Sequence, residues 1–152
     1  MFYFNQKRGF TLLLATIIAS LLLAVGGAMF SIIKKEVILS SLGRDSQFAF
    51  YAADTGAECA LYWDYRHDVF IVGTTTAMCD GQLLAPIPPV VYDQPVSFQF
   101  DLNNQLCTVV TVIKYTPGGA NETRIDSRGY NTSCATIATN PRALERAIEI
   151  YN

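Results

Sequence analysis

The chain has 152 residues, 51% of them hydrophobic and 12% aromatic, with 11 Lys and Arg against 13 Asp and Glu for a net charge of −2. That length leaves room for one small folded domain beside a membrane segment, and no second domain is expected. A mildly acidic balance without a basic cluster gives no electrostatic footprint for nucleic acid.

The first predicted element begins at the basic pair Lys7-Arg8. From Phe10 to Ile33 no charged side chain occurs. As helix, at roughly 1.5 Å per residue, this stretch is about 36 Å long, enough to cross a hydrocarbon core of about 30 Å. It is too long for the apolar core of a cleaved secretory signal, which has about 7 to 15 residues before a small-residue cut site. The only such sites here, around Ala24 to Ala28, lie inside the stretch. The short basic flank predicts that residues 1–8 stay in the cytoplasm and that everything after Lys35 crosses the membrane.

Beyond Lys34-Lys35-Glu36 the pattern stays helical and becomes amphipathic. Ile38, Leu42, Ala49, Ala53, Gly56 or Ala57, Ala60 and Trp63 recur at spacings of three, four or seven. No proline occurs from Met1 to Ala85. A single helix from about Phe10 to about Trp63 is predicted, with its outer half, 34–64, laying this stripe on a globular partner. The stripe is small-sided in the run FAFYAADTGAECALYW, which lets a sheet approach closely. Gly26, Gly27 and Gly43, each about 1 kcal/mol less favourable than alanine in a helix, are the expected places for a bend.

From Asp64 the period changes, and the cluster Pro86 to Pro89 marks an irregular connection. Strands follow: VSFQF (96–100), LCTVVTVIKY (106–115) and ETRIDSRGY (122–130), separated by DLNNQ and TPGGAN. Both separators carry turn chemistry, so the three strands read as an antiparallel meander. The last run, ALERAIEIY, puts Leu144, Arg146, Ile148 and Ile150 on one face of a closing strand, with a short helix as the alternative. The expected fold class is α+β, a long N-terminal helix packed on a small antiparallel sheet formed by 65–152.

Four cysteines, Cys59, Cys79, Cys107 and Cys134, all lie beyond the anchor. An even count on the extracytoplasmic side predicts two disulfides. None stands in a Cys-x-x-Cys pair and the single histidine is His67, so zinc has neither the spacing nor the ligands. Pairing Cys59 with Cys79 and Cys107 with Cys134 is favoured because it joins sequence neighbours in a domain with a thin core. Each bond would contribute about 3 kcal/mol. The other pairings stay open on sequence alone.

No catalytic set, cofactor or metal is expected. His67 reads as a solvated loop residue without a nucleophile or second base. Asp101, Asn103 and Asn104 read as an Asx-type hairpin turn in preference to a calcium loop. Asn121-Glu122-Thr123 and Asn131-Thr132-Ser133 match the glycosylation sequon, a short pattern that is discounted. Tyr62, Trp63 and Tyr65 are expected to pack under the sheet.

The junction KRGFTLLL resembles the class III leader of type IV prepilins and type II secretion pseudopilins. The resemblance implies that a prepilin peptidase removes residues 1–9 by cutting after Gly9, and that the new amino terminus, Phe10, is N-methylated. Further on, AFYAADTGAECALYWD, then IDSRGY and PRALERAIEIY, are similar to PilX-type minor pilins, in which an Ala-rich helix face precedes a sheet that ends in an Arg/Glu-containing strand. Residues 65–120 lie outside the resemblance. It implies the pilin fold, a single pass through the bacterial inner membrane, and later residence in a cell-surface or periplasmic filament. The partners it implies are other pilin subunits through the N-terminal helix, the prepilin peptidase and the membrane itself.

The chain departs from the family at Leu14, where most pilins carry glutamate five residues into the mature chain. A carboxylate there costs about 2.5–3.5 kcal/mol on insertion scales. In the family that cost is offset by pairing with the terminal amine of a neighbouring subunit, a bond Leu14 cannot make. The expectation is a minor structural subunit of a type IV pilus or related filament, either tip-located or priming, or one that tolerates the loss and is held by apolar helix packing. The alternatives are a type II secretion pseudopilin and a pilus-borne module for adhesion or DNA contact.

Overall fold

A single α-helix, α1, runs Lys7–His67 through both parts of the chain. The computed structural model describes residues 7–89, 91–103, 105–116 and 123–152. Residues 1–6, which fall in the expected leader, the surroundings of residues 7–9, and Val90, Asn104, most of the TPGGAN turn and Glu122 lie outside the described residues. The chain divides into two compact units, Met1–Leu42 and Gly43–Asn152.

In the first unit every described residue is helical, and the expected bend positions Gly26 and Gly27 pass without interruption. The same holds at Gly43, where the second unit begins. A Cβ at any of these three glycines would meet nothing within 4 Å, so their absence of a side chain serves no packing need within the chain.

In the second unit α1 is followed by a short helical turn α2 (Val69–Val72), strands β1 (Met78–Cys79) and β2 (Gln82–Leu83), and then β3 (Pro95–Leu102), β4 (Leu106–Lys114), β5 (Thr123–Tyr130) and β6 (Glu145–Tyr151). The last four form one antiparallel meander in the order β3-β4-β5-β6. The predicted closing run ALERAIEIY is therefore a strand, paired through Arg128↔Ala147 and Ile125↔Ile150. Pro95 starts an edge strand, a position where its missing N–H breaks no ladder.

Along β5 the alternation is regular: Thr123, Ile125, Ser127 and Gly129 are buried, and the residues between them are more open. The core joins Phe98 and Phe100 of β3, Val110 and Val112 of β4, and Ile125 to Val69 and Phe70 of α2 and to the alanine face of α1. The Phe70 and Phe98 rings stack at 6.2 Å, and Phe98 and Phe100 at 6.4 Å.

The helix meets the sheet almost without intervening side chains. Ala49, Ala52, Ala53, Ala57 and Ala60 are buried. Thr108 Oγ1 donates to the Ala52 carbonyl and Ser127 Oγ to the Ala53 carbonyl, each at 2.6 Å. These carbonyls already accept helical N–H bonds, and the buried hydroxyls use their second lone pairs, so no polar group is stranded in the interface.

The predicted stripe is buried over only part of its length: Ile38, 61% exposed, and Leu42 are open, and burial begins at Ala49. The predicted helix is corrected at its end, where α1 continues past Trp63 to His67. Helical residues need only their own hydrogen bonds to continue, whereas burial needs a neighbour, so periodicity alone does not locate where the sheet begins.

Candidate functional site

Two surfaces stand out, the apolar length of α1 and the polar and covalent braces of the sheet unit. The large apolar side chains of α1 from Phe10 to Ile33 are exposed, Leu14 at 47% among them. By length and composition this segment can cross a membrane. Its hydroxyls turn inward to the helix backbone: Thr16, Ser20 and Ser31 each donate to the carbonyl three residues earlier at 2.8 Å. Such back-bonding is the usual fate of a hydroxyl on an apolar helix. Past the charged Lys34-Lys35-Glu36, the apolar residues Val37, Ile38, Leu39 and Leu42 are exposed as well, beyond the reach of a segment that ends at Ile33.

In the sheet unit Cys59 is bonded to Cys79 and Cys107 to Cys134, the pairing of sequence neighbours. The Cys134 N–H donates to Asp101 Oδ1 at 2.7 Å, so Asp101 fixes the second bridge against β3. Asp101, Cys107 and Cys134 bring ligand-type atoms within 4.8 Å of one another. Both sulfurs are spent in the disulfide, which leaves one carboxylate, and the trio is a brace. Asp101 thus belongs to β3 and not to the turn that sequence assigned to it. Asn103, at φ 49, is the left-handed turn residue.

Near the end of α1, Asp64 is buried with both carboxylate oxygens on Lys114 Nζ, at 2.7 and 2.9 Å. This pair closes a small polar hollow lined also by Tyr65, Asp68, Thr123 and Asn152. His67 is the last residue of α1, not a loop residue, and its ring lies 4.7 Å from Trp63 and 5.5 Å from Tyr62. Trp63 packs on the core and donates Nε1–H to the Met78 carbonyl at 3.0 Å. Tyr62 and Tyr65 do not follow it under the sheet, and Tyr65 is 81% exposed. Residues on adjoining faces of one helix cannot all point at one sheet.

The outer face of β5 and β6 carries a ladder of charges: Arg124 pairs with Glu149, and Arg128 lies 3.4 Å from both Asp126 and Glu145. The Arg128 guanidinium is raised above its usual range by the hydrogen bond and charge of Asp126, then by Glu145. Tyr130 donates to Glu145 at 2.7 Å and is pushed up to about 12, first by burial and then by that hydrogen bond and charge. Each arginine of the ladder is thus paired with a carboxylate of the same sheet face. Asn131 of the second sequon is likewise engaged, donating to the Arg142 carbonyl at 3.3 Å and accepting the Leu144 N–H at 2.7 Å. Its partner sequon begins at Asn121, outside the described residues.

Sequence reasoning missed the two hydroxyl donors Thr108 and Ser127, the Asp64–Lys114 pair and the β1–β2 hairpin. Only the hairpin had an available signal, Asp80-Gly81, a strong hairpin turn dipeptide. Compared with family models, curated proteins and solved structures, the chain matches none.

Proposed function

We propose that this chain is a minor subunit of a type IV pilus or a related secretion filament, held in the inner membrane by α1 before assembly and adopting the pilin fold. The observation that carries this reading is the apolar exposure of α1 on both sides of Lys34-Lys35-Glu36. Lipid can cover the part from Phe10 to Ile33. The part beyond, Val37 to Leu42, needs protein. A plain anchor has no use for the second part, and a helix that leaves the membrane to pack among its own kind uses both. The leader-like junction at Gly9-Phe10 and the alanine face under a meander sheet support the same reading.

The decisive experiment is the mass of the amino-terminal peptide from membrane-extracted protein. The expected chain begins at Phe10 and carries one added methyl group. A peptide that retains Met1 to Gly9 overturns the proposal.

A further inference from the structure

Neither the anchor nor the sheet accounts for the segment from Val69 to Tyr92. Thr74 pairs with Ile87, the Leu84 N–H reaches the Ala77 carbonyl at 2.9 Å, Met78 faces Leu83 and Cys79 faces Gln82. These pairings share one register, so the segment is a single irregular hairpin with Asp80 (φ 48) and Gly81 (φ 72) at its tip. Two successive positive φ angles match the type I′ turn, whose twist suits a two-residue hairpin.

The hairpin is amphipathic and rigidly held. Ala77, Cys79, Leu84 and Ile87 are buried, while Met78 and Leu83, directly opposite each other, are 50% and 65% exposed. At the base of the hairpin, exposed Val72, with Pro86, Pro88 and Pro89, lines an open apolar cleft of about 650 Å³. The Cys59–Cys79 bridge and the Trp63 hydrogen bond to the Met78 carbonyl fasten the tip to α1. An apolar surface held this firmly loses little freedom on binding.

Its charge is one-sided. From Asp68 to Ile113 the chain carries Asp68, Asp80, Asp93 and Asp101 and no Lys or Arg. Asp80 closes the hairpin and accepts the Asn103 N–H, and Asp93, next to exposed Tyr92, accepts the Thr116 hydroxyl. Both donors are neutral. Among the described residues neither carboxylate has a cationic partner.

We infer that the Val72–Pro89 hairpin is a docking surface for a protein segment that presents apolar side chains flanked by Lys or Arg. The apolar pair supplies the contact area, and Asp80 at the hairpin tip, in a stretch that carries carboxylates and no Lys or Arg, selects a cationic partner and speeds its arrival. This inference does not depend on the filament reading.

The test uses the full chain in neutral detergent and two synthetic peptides of equal leucine content, one carrying lysines and the other glutamates. Trp63 is the single tryptophan and sits against Met78, so its emission reports occupancy. The lysine peptide should bind saturably, with affinity that falls as salt rises, and the glutamate peptide should not bind. Met78→Ser with Leu83→Ser should weaken binding about tenfold or more from lost apolar contact. Both side chains are exposed, so the fold should persist, as unchanged circular dichroism would verify. Asp80→Asn with Asp93→Asn should flatten the salt dependence, since asparagine suits left-handed turn positions equally well. Equal binding of the two peptides, insensitivity to the Met78 and Leu83 changes, or a Trp63 response to phosphatidylcholine vesicles in place of peptide would each overturn the inference.

Discussion

A methyl group added at Gly129 would land on the backbone of α1, at Ala49, Ala52 and Ala53, whereas one added at Gly56 would meet side chains of Thr108, Ser127 and Val110. Overpacking typically costs about 1–3 kcal/mol. Backbone cannot turn aside, so Gly129→Ala should lie at or above the top of that range. Gly56→Ala regains about 1 kcal/mol of helix propensity and should cost less. Urea unfolding of the full chain in detergent, followed by Trp63 emission, would rank them. Asp64 and Lys114 present a different case, since removing either leaves the other's charge buried. Asp64→Ala or Lys114→Met alone should each destabilise by about 3–5 kcal/mol, and the double change by less than their sum. Tyr130 sets a limit on alkaline stability. Its hydroxyl is raised from 10.0 to about 12 in the folded chain, so its stabilisation is complete below pH 10.0 and is lost as pH rises through about 12. Tyr130→Phe should remove that slope, and the ultraviolet absorbance titration should lose one late-titrating phenol while that of Tyr151, raised by its hydrogen bond to Glu149, remains. None of these residue roles was legible in advance. Glycine, serine and threonine in a strand read as weak β formers, and only the partner surface reveals that smallness and a hydroxyl are what the position requires.

At the scale of elements, legibility followed length. Strands β3, β4 and β5 were found because alternation persists over the 8 or 9 residues that each contains, and Pro95, Asp101 and Leu102 extend the first beyond VSFQF. Strands β1 and β2 have only 2 residues each, too few to show a period, and the proline cluster concealed the ladder that continues from Thr74 to Ile87. The covalent braces fall where chain is thinly held. Cys107–Cys134 ties the segment between β5 and β6, with its single 3₁₀ turn Cys134–Thr136, back to β4. Replacing both cysteines by serine should cost about 3 kcal/mol. Hydrogen exchange should rise first between Asn131 and Leu144, and equal protection there in both forms would contradict this role.

For the molecule as a whole, a unit of bare helix and a unit of helix under sheet share one unbroken α1. Hydropathy made the first unit plain. The boundary at Gly43 was not legible, because helical periodicity runs on whether or not a sheet is present to be covered. Under the filament proposal, Leu14 separates two places for the subunit. A chain whose terminal amine can receive a neighbour's carboxylate, but which offers none in return, suits the tip or the start of assembly, whereas one that tolerates the loss is held along the shaft by apolar helix packing. For a tip subunit, Leu14→Glu should spread labelled subunits along the shaft. Label that stays at the tip in the variant, or wild type found along the shaft, would count against that place.

The alanine seam of α1 also bears on how the chain is made. Every strand that covers Ala49 to Ala60 lies later in the sequence, so this stretch of helix is synthesised before its covering exists. Leucine or isoleucine at those positions would lengthen the run that lipid can accept. Alanine, interleaved with Asp54 and Glu58, does not, because each charge near the centre of a spanning helix costs about 2.5–3.5 kcal/mol. The residues that let the sheet settle so near the helix axis thereby also keep this stretch from prolonging the apolar run that ends at Ile33.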